Sequence, residues 1–234
     1  MDSESTGEPE PASDPQSTGE SKPTGDPRST YDRIASHFSK TREYPWPEVE
    51  SFLEGRSATR ALDVGCGNGR HTEALAAHAE TAVGVDLSRG LLDEAVSRAR
   101  NRGFADAAAF VHGNAAALPV RDDAVDLAAY VATLHHLSPR AARVESLNEL
   151  ARVLAPGGVA LVSAWSTAHD RFDRDEGFDT SVDWTLPGGE TVPRYYHIYS
   201  PSEFESDLAE SDLEARRTRV SSGNCYAEVS APDR

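Results

Sequence analysis

Between residues 58 and 165, short continuous hydrophobic runs alternate with longer stretches of helical spacing. The runs RALDV (60–64), AVGVD (82–86), AAAFVHG (107–113), AVDLAAYVAT (124–133) and VALVSAW (159–165) are typical of strands buried on both faces. The intervening HTEALAAHA (71–79), SRGLLDEAVSRARNR (88–102) and SPRAARVESLNELARVL (138–154) predict amphipathic helices. This alternation predicts an α/β fold: a doubly wound, mostly parallel sheet with helices on both faces.

Capping residues and the pattern after residue 165 refine this prediction. Ser88 and Gly103 are a plausible N-cap and stop for one helix, and Ser138 with Pro139 predicts the start of another. Residues 200–211 predict a further helix. Residues 214–221 and 224–231 predict an antiparallel pair that would complete a seven-stranded sheet. The segment 166–200 is long, charged and aromatic, so we expect a loop or lid on the substrate side.

Residues 1–29 differ in composition from the rest of the chain. They consist of Ser, Thr, Gly, Pro, Asp and Glu with almost nothing apolar, so they predict a disordered acidic tail. Residues 30–234 then form the folded domain. At its beginning, the prolines of YPWP (44–47) must interrupt any helix, because each proline disfavours the α conformation in the residue before it.

The charge balance is unusual. The 234 residues include 39 Asp and Glu against 23 Lys and Arg, for a net charge of −16, and only Lys22 and Lys40 are lysines. An acidic surface that prefers arginine favours a salt-rich cytoplasm, where salt screens the repulsion between carboxylates. The alternative is an ordinary acidic protein whose tail exaggerates the total. Either way, an RNA substrate would require a local arginine cluster or a partner protein.

Several classes of protein are disfavoured by the sequence. No window approaches the roughly 18 apolar residues of a membrane helix, and the N-terminus lacks a signal-peptide core. Cys66 and Cys225 provide neither a disulfide framework nor zinc-ligand spacing, so no metal site is predicted. We therefore expect a cytoplasmic protein without a membrane anchor.

The first predicted strand runs into a glycine loop, ALDVGCGNGR (61–70). In such sheets, ligands bind at the carboxyl ends of strands, and a carboxylate at the end of the next strand can accept hydrogen bonds from both ribose hydroxyls. Asp86 occupies that position. The third glycine comes one residue earlier than dinucleotide binding favours, and Asp63 before the loop could hold a cationic amine. Asn114, after the third strand, could contact adenine. The alternative is that these glycines only turn the chain.

These features resemble class I methyltransferases that depend on S-adenosylmethionine (SAM). The resemblance covers residues 58–164 and includes DVGCGNG (63–69), Asp86 and the LxPGG sequence of Leu154 to Gly158. It implies SAM as the cofactor. Family members often have Asp where this chain has Asn114, and an amide can also contact adenine. The implied cofactor residues are Asp63, Gly65, Gly67, Gly69, Asp86, Leu87, Asn114 and Ala115.

A second resemblance concerns the methyl acceptor. YDRIASHFSKTREYPWPEVESFL (31–53), LHHLSPRAARVESLNELARVLAPGG (134–158) and RYYHIYSPSEF (194–204) are similar to segments of the tRNA wobble-uridine carboxymethyl methyltransferases. These enzymes convert 5-carboxymethyluridine at tRNA position 34 into its methyl ester, so the resemblance implies that activity and a tRNA substrate. A methyltransferase for a small carboxylate, quinone or natural product, and an inactive scaffold subunit, are the alternatives.

The chemistry of a carboxylate acceptor fits candidate residues in these segments. A carboxylate is already nucleophilic, so the site must align it and exclude water rather than supply a strong base. Arg42 and Arg194 could grip the anion through their guanidinium forks, although Arg42 could instead bind the SAM carboxylate. His135 and His136 follow the fourth strand, and we expect only one of them to face the site. The further candidates are Tyr195 and Tyr196, which could stack on a base or simply pack a lid.

The third predicted strand suggests a protein partner. In this fold that strand usually lies at a sheet edge, and Ala107–Val111 carry no charge. An apolar edge promotes association unless something covers it. The resemblance to the wobble-uridine methyltransferases implies a small zinc-binding activator protein there. A local helix or a second copy of the chain is the alternative cover.

Overall fold

A computed structural model describes residues 26–232. Residues 1–25, which hold most of the predicted disordered tail, lie outside the described residues. The helices are Pro27–Lys40 (α1), Pro47–Leu53 (α2), Arg70–Ala76 (α3), Arg89–Arg102 (α4), Arg140–Val153 (α5) and Pro201–Glu210 (α6). The strands are Ala58–Val64 (β1), Ala79–Asp86 (β2), Ala108–His112 (β3), Val125–Val131 (β4), Leu154–Trp165 (β5), Phe178–Thr185 (β6), Thr191–Ile198 (β7), Glu214–Ser221 (β8) and Asn224–Ser230 (β9).

Seven strands form one sheet in the order β3-β2-β1-β4-β5-β9-β8. The first five strands of this order are parallel, and β9 pairs antiparallel with both β5 and β8. The order reverses next to β1, which places the loops after β1 and β4 side by side at the carboxyl edge. The predicted α/β fold, its five parallel strands and its antiparallel closing pair are confirmed.

Two apolar clusters cover the faces of the sheet. One cluster includes Leu147 and Leu150 of α5 against Val162 of β5, and the other includes Phe52 of α2 against Leu161. Burial of a leucine side chain contributes about 1.5–3 kcal/mol. The helices that alternate with the strands in sequence thus pack as two layers, one on each face of the sheet, and fix the position of its carboxyl edge.

α1 begins at Pro27, inside the stretch whose composition predicts disorder. Asp26 caps the helix by accepting a hydrogen bond from Arg28 N at 3.3 Å. Asp32 then joins α1 to the start of α4, because its Oδ1 accepts from Ser88 Oγ at 2.7 Å and Gly90 N at 3.0 Å. This contact, which requires tertiary structure, explains why composition alone placed the boundary too late.

Two element boundaries differ from the sequence expectation. α5 begins at Arg140 with Pro139, and not Ser138, in the N-cap position, and no side chain caps the helix. β5 begins at Leu154, so the APGG segment lies within an irregular start of the strand instead of in a separate loop. Pairing with β4 explains the early start of β5, since Val125 pairs with Leu154, ahead of the hydrophobic run.

The segment expected to be a loop or lid contains a regular hairpin. β6 and β7 pair antiparallel from Phe178↔Ile198 to Thr185↔Thr191, separate from the main sheet. Trp184 and Val192 of the hairpin pack on Ile34 of α1. The hairpin therefore docks on the helix that precedes the glycine loop.

Within residues 26–232, no helix combines the length and apolar character that crossing a bilayer demands.

Candidate active site

Three glycines shape the loop after β1. Gly65, Gly67 and Gly69 have φ values of 71°, 54° and 79°, in the left-handed region that favours glycine. At Gly65 a side chain is also excluded by space, because a Cβ would lie 2.2 Å from Thr133 Oγ1 on the turn after β4. The loop therefore lies directly against the end of β4, at the edge of the sheet where α/β proteins bind ligands.

Asp86 ends β2 and faces this loop. Its Oδ2 accepts a hydrogen bond from Gly67 N at 2.8 Å, and its Oδ1 accepts from Ser88 N at 2.8 Å. Burial raises the pKa of Asp86, and the backbone hydrogen bonds oppose that shift. Each carboxylate oxygen can accept a further hydrogen bond, so the group fits the two adjacent hydroxyls of a ribose.

Asp63 lies beneath the loop and is 1% exposed. Its Oδ2 accepts a hydrogen bond from Thr72 Oγ1 at 2.6 Å. Burial raises the pKa of Asp63 to about 7, against the hydrogen bond from Thr72 and with a contribution from the charge of Asp86. A bound cation would favour the ionised form of Asp63, so its position fits a ligand with an ammonium group.

Asn114, Leu87 and Ala115 lie at the same carboxyl edge, after β2 and β3. His112 Nε2 donates to Leu87 O at 2.9 Å and ties the two strand ends together. Asn114 is exposed, and its Oδ1 accepts from Ala116 N at 3.0 Å in a local turn. Contact of Asn114 with adenine stays a prediction. Together, the carboxylates of Asp63 and Asp86 and the turn at Asn114 fit a nucleoside that carries a cationic amino acid.

Asn68 joins the glycine loop to the segment before β1. Its side-chain amide is 2% exposed and donates from Nδ2 to Arg42 O at 2.8 Å and to Ser39 O at 3.2 Å. Phe38 lies next to Gly67, where a Cβ would be 3.9 Å from the phenyl ring. The residues that end α1 therefore form one wall of the site.

Arg42 and Arg194 converge on one indole ring. The Arg42 guanidinium carbon lies 5.7 Å from the centre of the Trp184 ring, and that of Arg194 lies 4.9 Å from it. Trp184 is itself fixed by a hydrogen bond from its Nε1 to His37 Nδ1 at 3.0 Å. Both arginines are buried, at 9% and 6% exposure. Two permanent positive charges from distant parts of the sequence thus share one buried region.

His135 and His136 have different hydrogen bonds. His136 Nδ1 lies 2.9 Å from Tyr195 O, which can only accept, so Nδ1 carries the proton and Nε2 accepts from Tyr31 OH at 2.9 Å. His135 Nδ1 accepts from Trp165 N at 2.9 Å, which places the proton of the neutral ring on Nε2.

Neither ring adds charge to the site at neutral pH. Burial lowers the pKa of His136 to about 4, which the hydrogen bond to Tyr195 O opposes, and burial holds the pKa of His135 well below its usual range. Both imidazoles are therefore neutral, and Arg42 and Arg194 supply the positive charge beside them.

Tyr195 and Tyr196 point to opposite faces of β7. Tyr196 packs on His135 and His136, with ring centres 5.0 Å and 4.4 Å apart. Tyr195 OH instead donates to Asp179 Oδ1 at 2.8 Å. The alternation of side chains along a strand separates the two tyrosines, so only Tyr196 lies with the histidines and Arg194.

Sequence reasoning missed three residues that organise this region: Tyr31, Asn68 and Trp184. Asn68 lies inside the glycine loop and Tyr31 begins the segment 31–53, so the positions of both residues offered a signal. Trp184 offered none, since its role depends on how the hairpin docks. Burial raises the pKa of Tyr31 well above its usual range; Tyr196 adds to the shift and Arg194 opposes it.

A family model described as a methyltransferase domain matches residues 62–162. A candidate methyltransferase of Encephalitozoon cuniculi is 34% identical over 177 residues, which cover 72% of this chain and 78% of that protein. The chain belongs to the class I SAM-dependent methyltransferase family. The predicted fold family is thereby confirmed.

Other relatives of this methyltransferase carry more specific names. A Saccharomyces cerevisiae protein named tRNA (carboxymethyluridine(34)-5-O)-methyltransferase is 34% identical over 170 residues, which cover 70% of this chain and 58% of that protein. The Mus musculus protein of the same name, ALKBH8, is 39% identical over 138 residues, which cover 58% of this chain. The chain spans only 19% of the length of that mouse protein.

Solved structures share the fold at lower identity. The CcbJ methyltransferase from Streptomyces caelestis has a TM-score of 0.73 at 20% identity, and the match covers 88% of this chain and 99% of that one. A complex of the Haloferax volcanii Trm112 methyltransferase activator with a candidate methyltransferase has a TM-score of 0.65 at 16% identity, with 88% and 98% covered. At these identities the likeness concerns the fold alone.

We predict that Asp86→Ala weakens SAM binding at least about tenfold, because a hydrogen bond to a charged group contributes about 1.5–3 kcal/mol. Isothermal titration calorimetry with SAM measures the change. Since Asp86 also accepts from Gly67 N and Ser88 N, a melting curve of the variant is the control for folding. Unchanged affinity in a folded variant would remove Asp86 from the site.

We predict that SAM binding tightens as the pH rises from about 6 to 7.5. The free protein holds a proton on Asp63 below its pKa of about 7, and the cationic ligand favours the ionised form, so that binding releases a proton in this range. Calorimetry in buffers of different ionisation enthalpy counts that proton. Asp63→Asn should abolish the release, and an unchanged release in this variant would show that another group titrates.

Proposed function

We propose that this methyltransferase methylates the carboxylate of 5-carboxymethyluridine at the wobble position of tRNA and gives the methyl ester. The names of the yeast and mouse relatives support this assignment. The observation that carries it is the pair of buried arginines on Trp184. Two fixed guanidinium groups among neutral rings favour an acceptor that arrives as an anion.

The protonation states of the site agree with an acceptor that needs no deprotonation. Bound SAM would supply a methyl group on a sulfonium sulfur. Transfer to a carboxylate oxygen would form the O–C bond as the S–C bond breaks, and a neutral thioether would leave. His135 Nε2 and Tyr31 are neutral hydrogen-bonding groups that can orient the acceptor, and Tyr196 closes the wall beside them. Alignment and exclusion of water supply the rate enhancement that this proposal requires.

In this proposal the residues divide between the two ligands. The cofactor contacts are assigned to the glycine loop, Asp63, Asp86 and the turn at Leu87, Asn114 and Ala115. The acceptor contacts are assigned to Arg42, Arg194, one or both of His135 and His136, and Tyr196. Tyr195 positions the hairpin through Asp179, which also lies 2.7 Å from His197 Nδ1. The hairpin between residues 166 and 200 covers the acceptor side.

The proposal includes a salt-rich cytoplasm as the working environment. The net charge of −16 and the predominance of arginine over lysine support a high salt concentration in that environment. Cys66 and Cys225 are both buried free thiols, as a reducing compartment allows.

Nucleoside mass spectrometry of tRNA tests the function directly. Purified protein with SAM should convert 5-carboxymethyluridine in tRNA into the methyl ester, and tRNA from a deletion strain should accumulate the acid. Conversion of a free small carboxylate at a higher kcat/KM than tRNA, or no change in the deletion strain, would contradict the proposal.

We predict that Arg42→Lys lowers kcat/KM for the tRNA about 10- to 100-fold, because lysine cannot form the planar bidentate contact with a carboxylate. The affinity for SAM should stay within about twofold of wild type. Arg174→Lys is the matched control, since Arg174 is an exposed arginine stacked on Phe178, 4.5 Å from its ring centre. A large loss of SAM affinity in folded Arg42→Lys protein would instead assign Arg42 to the cofactor.

The proposal also includes a small zinc-binding activator protein that adds a strand to β3. β3 pairs only with β2 among residues 26–232, so its other side is open to a further strand. Ala109 on this strand is exposed. Phe110 instead packs inward, because its ring would be 2.8 Å from a Cβ on Gly84. Phe110 is half-buried, and its ring lies against Gly84 and Gly69, so a change there would disturb the glycine loop as well as the edge.

We predict that Ala109→Glu reduces co-purification of the activator homologue without lowering the melting temperature of the enzyme alone. A charge on the edge strand disfavours strand addition. Ala141→Glu, an exposed change on α5, is the matched control. Wild-type enzyme that is soluble, monomeric and fully active alone, with no effect of Ala109→Glu, would contradict the partner.

A further inference from the structure

β8 is the edge strand at the opposite end of the sheet, and it carries three arginines in four positions. β8 pairs only with β9 in the sheet, and Arg216 and Arg217 are exposed while Arg219 is half-buried. Within residues 26–232, none of the three forms an ion pair. In a chain with a net charge of −16, this concentration of arginines is a local reversal of charge.

The register places two of these arginines on one face. Arg217 lies opposite Glu228 and Arg219 opposite Tyr226, two residues apart on both strands, so they share a face about 7 Å apart. The Arg219 guanidinium carbon lies 5.6 Å from the centre of the Tyr226 ring. Tyr226 is packed with Phe52 and Leu53, which identifies this as the face covered by α2.

The basic surface continues from β8 towards the glycine loop. Tyr226 contacts Trp46, with ring centres 6.4 Å apart, and the Arg70 guanidinium carbon lies 5.4 Å from the centre of the Trp46 ring. Arg70 directly follows Gly69. We name Arg56, Arg70, Arg217 and Arg219 the arginine stripe, because they run along this face from the sheet edge to the cofactor loop.

Two acidic side chains on this face already have partners. Glu228 pairs with Arg56 at 3.0 Å and lies opposite Arg217, and Glu48 is occupied by hydrogen bonds from Ser221 and Ser222. Arg217 and Arg219 carry their charge on this face, and neither forms an ion pair with another residue of 26–232. The aromatic rings of Trp46 and Tyr226 hold Arg70 and Arg219 in fixed positions, which reduces the entropy lost when they bind a ligand.

We propose that the arginine stripe binds the phosphate backbone of the RNA acceptor and leads it from β8 to the active site. This inference rests on the proposed tRNA substrate. RNA is the occupant that matches the charge, since phosphates take arginine forks bidentately and the rest of the acidic surface repels them. The β8 end of the stripe lies at the sheet edge opposite β3, so a partner on β3 leaves Arg217 and Arg219 accessible.

The test compares tRNA binding by wild type and by Arg217→Glu/Arg219→Glu over a series of KCl concentrations in which both are folded by circular dichroism. Each lost phosphate contact reduces the slope of log K against log [salt] by about 0.9 on a duplex and about 0.7 on a single strand. The double variant should lose about 1.5 units of slope and at least tenfold in affinity, and Arg217→Lys/Arg219→Lys should retain the slope. SAM affinity should stay unchanged.

Arg121→Glu is the matched control, because Arg121 is exposed on the turn before β4, at the opposite edge from the loop. An unchanged slope in the double variant, or the same loss in Arg121→Glu, would overturn the inference. Sedimentation that shows a wild-type dimer, abolished by the double variant with no change in slope, would assign β8 to a second copy and also overturn it. Absence of wild-type tRNA methylation would overturn the proposed function separately, since the slope is measured without turnover.

Discussion

The buried amide of Asn68 is the contact on which both sides of the candidate site depend. It belongs to the glycine loop, yet it donates to the carbonyls of Ser39 and Arg42, in the segment that carries the acceptor-side arginine. A satisfied hydrogen bond adds only about 1 kcal/mol, whereas a buried amide left without acceptors costs about 1–3 kcal/mol. The loop conformation with its left-handed glycines and the placement of Arg42 therefore form together.

Burial also determines which side chains on the acceptor side carry a positive charge. A protonated histidine would also be a cation, but burial lowers the pKa of both His135 and His136 and keeps the two rings neutral. Guanidinium groups stay charged under the same burial, because their pKa is far higher. Trp184 supports two of them on its ring and is itself hydrogen-bonded to His37. The two arginines therefore provide a charge on the acceptor side that the histidines do not.

The sequence predicted features that repeat locally, and it failed where distant segments meet. Buried strands and amphipathic helices have their own periodicity, so the sheet, its order-reversing loop and the closing pair could be predicted. The β6–β7 hairpin could not be predicted. The apolar and polar residues of β6, FDTSVDWT, alternate over only a short stretch, and the burial of Trp184 depends on packing against α1. The same limit applies to side chains: Arg42 and Arg194 were candidates by type, but their common partner Trp184 is a tertiary contact.

Screening determines which charges of this acidic chain matter to a partner. The Debye length is about 8 Å at physiological ionic strength and about 3 Å at 1 M salt. In 1 M salt, the field of the net charge of −16 is therefore largely screened beyond about 3 Å. Recognition then depends on side chains close enough to touch the ligand, and on how firmly they are held. An arginine stacked on Tyr226 or Trp46 meets both conditions, whereas a mobile lysine on an exposed helix does not. A few fixed arginines can thus bind an anion on a protein whose overall charge opposes it.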